Sequence, residues 1–94
     1  MVEQDPTNSF ARYGLAMECA KTGDLAAAVT EFRALIATDP NYAAAYYHGG
    51  QSLEKLGQLE EARDFYEKGV AATTRTGDAH TRAEIEAALN LLPL

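Results

Sequence analysis

NSFARYGLAMECAKTGDLAAAVTEFRALIATDP, the stretch from Asn8 to Pro40, has a counterpart 34 residues further along the chain, from Tyr42 to Thr74. The positions that match in this register agree in residue type or size, and they are Tyr13 with Tyr47, Gly23 with Gly57, Leu25 with Leu59, Ala28 with Ala62, and Phe32 with Tyr66. A period of this length is typical of helix-turn-helix solenoids, whose repeats bury their apolar faces against each other. The repeat therefore predicts a stack of helical hairpins.

The internal spacing of each copy resembles the tetratricopeptide repeat (TPR) family. The residues that carry the resemblance are Leu15, Ala16, Gly23, Asp24, Ala28, Phe32, Asp39 and Pro40 in the first copy and Tyr46, Gly50, Leu53, Gly57, Ala62 and Tyr66 in the second. The sequence departs from the family pattern where Cys19 replaces a tyrosine, Gly49 a leucine and Gly69 an alanine, and where Thr73-Thr74-Arg75 stands in place of Asp-Pro. The resemblance implies an all-α, right-handed α-solenoid of about five antiparallel helices.

The whole chain, residues 1–94, is expected to form a single TPR domain, with repeat one at about 9–42, repeat two at about 43–76 and a capping helix at about 78–92. Apolar residues at steps of three and four predict helices at about 9–21, 25–38, 42–56, 59–72 and 78–92. Glycine followed by aspartate, at Gly23-Asp24 and Gly77-Asp78, is expected to end one helix and cap the next. Asp39-Pro40 stops the second helix, because the residue before proline avoids the helical region, and Asp5-Pro6 is the same signal ahead of the first.

Two adjacent glycines, Gly49 and Gly50, lie inside the predicted third helix, where each costs about 1 kcal/mol relative to alanine. We expect Gly50 to admit the backbone of a neighbouring helix, and the pattern offers no comparable reason for Gly49. The linker at 73–77 is taken to be two residues longer than the 34-residue register requires. With this register, Ile85 and Leu89 of the last helix face the preceding helix. The apolar residues of the last helix that are expected to cover the end of the stack are Ile85, Ala88, Leu89 and Leu92. Its other faces are expected to be solvated through the polar residues Glu84, Glu86 and Asn90.

Composition narrows the classes of function. Ninety-four residues with 47% hydrophobic and 23% charged side chains suit one small globular domain. The net charge of −6 repels nucleic-acid backbones and anionic lipid faces, so neither nucleic acid nor a membrane is an expected partner. A single cysteine, with no signal-peptide pattern and no apolar run of spanning length, indicates a cytoplasmic location.

The residue types that carry catalysis or bind metals do not form a recognisable site in the sequence. Cys19 is interpreted as a buried, inert apolar filler, and a catalytic role for it, with His48 as a base, is the weaker alternative. His80 and Glu84 are spaced like a ligand pair, but one such pair on a helix is usually a solvated contact. The sequence has no glycine-rich phosphate loop. We therefore expect no enzyme activity, no metal and no cofactor.

The resemblance places a partner-binding groove along the first helix of each repeat. The positions that carry over to this groove are Phe10, Tyr13, Met17, Lys21, Tyr47, His48, Gln51, Glu54 and Lys55. An aromatic and methionine cluster with a mixed-charge rim is typical of protein-binding surfaces. In an alternative interpretation, Phe10 and Tyr13 only cover an end that lacks a preceding repeat. The carboxylate-binding lysine and asparagine of some family members are absent, because Tyr13, Met17 and His48 occupy those positions.

The sequence thus predicts a non-enzymatic scaffold that binds a peptide or protein partner in this groove. A second hypothesis is a structural unit that forms a homodimer through its exposed ends, Phe10 at one and the 91–94 tail at the other. A third is a fragment of a longer TPR scaffold.

Overall fold

The computed structural model of the protein describes residues 8–94, which form five α-helices and, within that range, no strand. The helices are α1 (Ser9–Lys21), α2 (Leu25–Thr38), α3 (Ala43–Lys55), α4 (Leu59–Thr76) and α5 (Ala79–Leu91). The predicted all-α, TPR-like solenoid is confirmed. The Asp5-Pro6 signal ahead of the first helix lies outside the described residues.

The fourth helix is longer than predicted. It continues through the segment that the sequence analysis assigned to a linker and ends only at Thr76. The hydroxyls of Thr73 and Thr74 find partners within the helix: they donate to the carbonyls of Gly69, at 2.8 Å, and Val70, at 2.7 Å, one turn earlier. No proline stops the helix here, as Pro40 does after α2, so it runs on until a glycine ends it.

The turns after α1 and α4 have the predicted chemistry. Gly23 and Gly77 adopt positive φ angles of 90° and 77°, the left-handed conformation that costs glycine little. The following aspartates cap the next helices: Oδ1 of Asp24 accepts from the Ala27 amide at 3.2 Å, and Oδ1 of Asp78 from the Thr81 amide at 3.1 Å. These local bonds satisfy amides that would otherwise lack partners, and so fix the helix boundaries.

Each helix packs on the next one along the chain, and α3 also contacts both α1 and α5. Within residues 8–94, α2 and α4 do not come as close to each other as α3 does to α1 and α5. The side chain of Arg33 on α2 links these two helices instead. Its guanidinium pairs with Glu61 and lies 5.2 Å from the centre of the Phe65 ring. The helices α1, α3 and α5 come closer together than α2 and α4 do. We call the surface formed by α1, α3 and α5 the inner face of the stack.

The core explains the two adjacent glycines differently from the prediction. Gly49 and Gly50 are both buried, but aromatic rings of α4 lie against them rather than a helix backbone. An ideal Cβ on Gly49 would overlap the Phe65 ring and lie 3.2 Å from Cβ of Phe32, whereas one on Gly50 would overlap the Tyr66 ring. The expectation of backbone approach at Gly50 is therefore wrong, and Gly49 has the same reason for being small.

The last helix covers the end of α4. Ile85 is fully buried and Leu92 is 8% exposed, and both belong to the same core as Phe65 and Tyr66. The side chain of Ile85 packs where Gly69 leaves room: an ideal Cβ on that glycine would lie 2.9 Å from Cδ1 of Ile85. The small residue on α4 and the branched residue on α5 thus fit each other.

Two side chains, Arg75 on α4 and Tyr46 on α3, hold the loop that precedes α3. Nη2 of Arg75 donates to Oδ1 of Asn41 at 2.9 Å, and this contact exists only because α4 extends past Ala72. The hydroxyl of Tyr46 donates to the carbonyl of Pro40 at 2.7 Å. The loop between α2 and α3 is held from both sides as a result.

Candidate functional site

The inner face carries two neighbouring grooves. The first, which we call the α1–α3 groove, has a volume of about 480 Å³ and is lined by Gly14, Met17, Glu18, Ala20, Lys21, His48, Gln51, Ser52 and Lys55. The second, the α3–α5 groove, has a volume of about 420 Å³ and is lined by Tyr47, Gln51, Glu54, Glu84, Ala87, Ala88 and Leu91. Gln51 belongs to both linings, so the grooves meet at the middle of α3.

The α1–α3 groove is the more positive of the two. Lys21 and Lys55 occupy equivalent places at the ends of α1 and α3, and Glu18 is the single carboxylate in the lining. Among residues 8–94, neither lysine has a carboxylate within the 4.0 Å of an ion pair. Their charges are therefore available to an anionic group of a partner.

An aromatic cluster supports the wall of this groove. The ring of Tyr13 lies 6.0 Å from that of His48 and 5.3 Å from that of Tyr42, and the ring of Tyr47 meets His48 edge-on at 5.1 Å. Burial lowers the pKa of His48 below its ordinary value, although the nearby Glu84 carboxylate opposes the shift. His48 is thus a neutral donor and acceptor at neutral pH.

The α3–α5 groove is acidic and partly apolar. Glu54 and Glu84 are the carboxylates of its lining, and no lysine or arginine lines it. The hydroxyl of Tyr66, a buried residue of α4, donates a hydrogen bond to the carboxylate of Glu54 and so orients this side chain. Leu91, which is 82% exposed, stands at the rim. A basic side chain with an apolar neighbour would find both kinds of contact here.

The predicted groove residues are distributed over both grooves. Met17, Lys21, His48, Gln51 and Lys55 line the α1–α3 groove, and Tyr47, Gln51 and Glu54 line the α3–α5 groove. Two predicted residues line neither. Phe10 projects into solvent with 78% of its surface exposed, and Tyr13 packs behind His48 and against Phe32.

Sequence reasoning missed the contribution of α5. Glu84, Ala87, Ala88 and Leu91 form one wall of the α3–α5 groove, although the sequence assigned this helix only to capping. The signal was present in the repeat: α5 follows a helical hairpin in the same way as α3 follows the first one. A third helix in the inner position extends the groove as well as closing the core.

The structure shows where the residues considered for metal binding and catalysis lie. Across residues 8–94, no three His, Cys, Asp or Glu side chains are grouped to hold a metal. His80 and Glu84 lie 3.9 Å apart on the exposed side of α5. Cys19 is half-buried rather than buried, and packs against the core. No helix of this part of the chain has the length and apolar character that crossing a membrane requires.

Comparison with known proteins agrees with this architecture. The sequence profile of the tetratricopeptide repeat matches residues 20–87. A TPR repeat-containing protein of Pseudomonas aeruginosa is 27% identical over 92 residues, which cover 98% of this chain and 88% of the relative.

Solved structures give the same result. A tetratricopeptide repeat domain protein of Salinibacter ruber, solved by NMR, superposes with a TM-score of 0.88 at 32% identity, covering 95% of this chain and 90% of that one. A protein of Bordetella parapertussis superposes with a TM-score of 0.84 at 30% identity, covering 98% of this chain and 80% of that one. With its repeat, its helix order and these likenesses in agreement, the chain belongs to the tetratricopeptide repeat family.

Proposed function

We propose that this chain is a protein-interaction module that binds a peptide or an extended protein segment along its inner face, in the α1–α3 and α3–α5 grooves. The TPR fold generally mediates protein–protein interaction, and proteins of the family are typically non-enzymatic scaffolds. The observation that carries the proposal is that the two grooves adjoin at Gln51, which belongs to both linings. Two adjoining grooves across three helices can take side chains from one chain segment.

The groove lining supports the same conclusion. Met17 and Leu91 offer apolar surface at the two sides of the face, and polar groups lie between them. Protein interfaces combine apolar contacts with hydrogen bonds from polar groups, and both kinds of group are present here. The lysines without ion pairs in the described residues add a favourable contact for a charged partner.

A blocking substitution tests the proposal. Gln51→Arg puts a long, charged side chain at the meeting point of the grooves. Ala71→Arg is the control, because it adds the same charge at an exposed position of α4. Immobilised protein is used to capture partners from a lysate of the source cell. Proteins retained by the unchanged chain and by Ala71→Arg, but lost with Gln51→Arg, support the proposal. Equal retention by both variants, with equal thermal melts, would contradict it.

Self-association is the second candidate, and one observation favours it. Phe10 and Leu15 on α1 and Leu91 and Leu94 at the opposite end are exposed by 78%, 42%, 82% and 58%. Exposed apolar side chains at two ends of a stack are suitable for contact between copies. Light scattering after gel filtration separates the candidates, because a dimer that dissociates on Phe10→Gln substitution would favour this one.

A further inference from the structure

A further groove lies between α4 and α5. This α4–α5 groove has a volume of about 500 Å³ and is lined by Glu67, Val70, Glu86, Leu89 and Asn90. None of these residues lines either groove of the inner face. Val70 and Leu89 are half-buried and pack against the core, whereas Glu67 and Glu86 are exposed. The groove therefore combines apolar surface, continuous with the packed interior, with two exposed carboxylates.

The repeat indicates what kind of element fits between two helices at this place. Moving back 34 positions from α4 leads to α2, and moving back 36 positions from α5, with the two extra linker residues, leads to α3. Burial agrees with this register, because Ile85 takes the place of Gly49 and both residues are buried. The five lining residues of the α4–α5 groove then correspond to Arg33, Ile36, Gly50, Leu53 and Glu54.

The place that these five residues form between α2 and α3 is filled by α4. The ring of Tyr66 lies against Gly50, and its hydroxyl donates a hydrogen bond to Glu54. The carboxylate of Glu61 pairs with the guanidinium of Arg33. A helix thus occupies the first of the two equivalent places. Within residues 8–94, no helix covers the second one, the α4–α5 groove.

Two differences between the equivalent places change the charge that an occupant meets. Glu86 stands where Gly50 admits an aromatic ring, and Glu67 stands where Arg33 pairs with a carboxylate. Among residues 8–94, Glu67 has no ion-pair partner, and Glu86 has only Arg82 of its own helix, at 3.9 Å. Lysine and arginine suit this lining, because their charged ends reach carboxylates while their aliphatic stems cover apolar surface.

We infer that the α4–α5 groove is a docking site for a basic amphipathic helix of a partner protein. The apolar stripe of that helix covers Val70 and Leu89, and its basic side chains pair with Glu67 and Glu86. A second copy of this chain is a poorer occupant, because each copy carries a net charge of −6. The inference does not rest on the proposed function, since the two sites share no lining residue.

Helical peptides of opposite charge test the inference. The probe is a fluorescein-labelled, end-capped peptide made of three copies of Leu-Ala-Gln-Leu-Lys-Ala-Lys, which places lysines on both sides of a leucine stripe. One comparison peptide has glutamate in place of every lysine, and another has alanine in place of every leucine. We expect the probe to bind with a Kd about tenfold below that of either comparison peptide, since two exposed ion pairs and the apolar contact both contribute. Added salt should reduce the effect of charge.

Protein variants locate the bound peptide. Glu67→Gln combined with Glu86→Gln should raise the Kd of the probe about fivefold. Glu60→Gln combined with Glu84→Gln removes the same charge from exposed positions of the same two helices, outside this groove, and should change the Kd by less than about twofold. In NMR spectra, the probe should shift the methyl signals of Val70 and Leu89.

Several results would overturn the inference. They are failure of the probe to bind, equal Kd values for the lysine and glutamate peptides, and equal weakening by the two pairs of substitutions, which would show attraction by net charge alone. Binding that Gln51→Arg abolishes would place the peptide on the inner face instead, and would leave the proposed function standing. Light scattering that shows a dimer of the unchanged chain, dissociated by the Glu67→Gln and Glu86→Gln pair, would assign the groove to a second copy.

Discussion

The aromatic ring of Tyr66 on α4 lies where a side chain on Gly50 of α3 would stand: an ideal Cβ there would overlap the ring and lie 2.7 Å from its Cδ1 atom. Both residues are buried, so neither has space into which to move. The α3–α4 pairing, which also orients Glu54 in the groove, thus depends on the absence of one methyl group.

Gly50→Ala should therefore destabilise the protein by about 1–3 kcal/mol, because a methyl group would be forced into a filled space. Gly14→Ala is the matched variant, since Gly14 is an exposed helical glycine with open space around its Cα. It should stabilise the protein by about 0.5–1 kcal/mol through helix propensity alone. Urea unfolding of both variants measures the difference, and a stabilised Gly50→Ala would refute the packing argument.

Tyr66→Phe should cost about 0.5–1.5 kcal/mol, because it removes the hydrogen bond to Glu54 and leaves the ring in place. Burial, and then the hydrogen bond to that carboxylate, raise the pKa of Tyr66 above its ordinary value of 10.0. The folded state thus holds the phenol proton more tightly than the unfolded state. Its contribution to stability is fully present below pH 10 and is lost as the pH rises above that value.

Unfolding measured between pH 8 and about pH 11 checks this dependence. Burial also raises the pKa values of Tyr13, Tyr42 and Tyr46, so the comparison must be made between the unchanged chain and Tyr66→Phe. The variant should lose stability less steeply above pH 10. Identical slopes would show that the Tyr66 proton is held no more tightly in the folded protein.

His48 should titrate below its ordinary pKa of 6.5, because burial penalises its charged form. Between the lowered pKa and 6.5 the unfolded state binds more protons, so the contribution of His48 is present above pH 6.5 and is lost as the pH falls below it. NMR titration of the ring gives the pKa, with the protein in denaturant as the reference.

The carboxylate of Glu84 raises the pKa of His48 against the effect of burial. Glu84→Gln should therefore lower this pKa further, whereas Glu86→Gln, on the side of α5 that faces α4, should leave it unchanged. An unchanged pKa of His48 after Glu84→Gln would mean that α5 does not bring this carboxylate near the ring.

Ile85→Ala should destabilise the protein by about 2–5 kcal/mol, because the side chain is fully buried against the gap left by Gly69. Leu91→Ala removes a leucine from the same helix, but one that is 82% exposed, and should change stability by less than about 0.5 kcal/mol. Thermal melts of the two variants compare them directly. Equal melting temperatures would show that α5 does not close the core.

The sequence by itself determined the helices and most of their ends. The bounds of α2 and the turns at Gly23-Asp24 and Gly77-Asp78 follow from its pattern. These signals act over about one helical turn: a cap bonds an amide three residues away, and a left-handed glycine ends the helix it follows. The 34-residue repeat then determined the stack, because each hairpin must bury its apolar face against the next.

Tertiary structure alone decided how the inner face is divided. Tyr13 and His48 lie on different helices, and only the packing of α1 on α3 puts one ring behind the other and out of the groove. Glu54 and Glu84 are 30 positions apart, and they share a groove because α5 takes the inner place beside α3. Helical periodicity specifies a face within one helix, but the residues that meet across helices depend on how those faces dock. At Gly49, the residue that had no explanation in the sequence, the docked rings of another helix provide one.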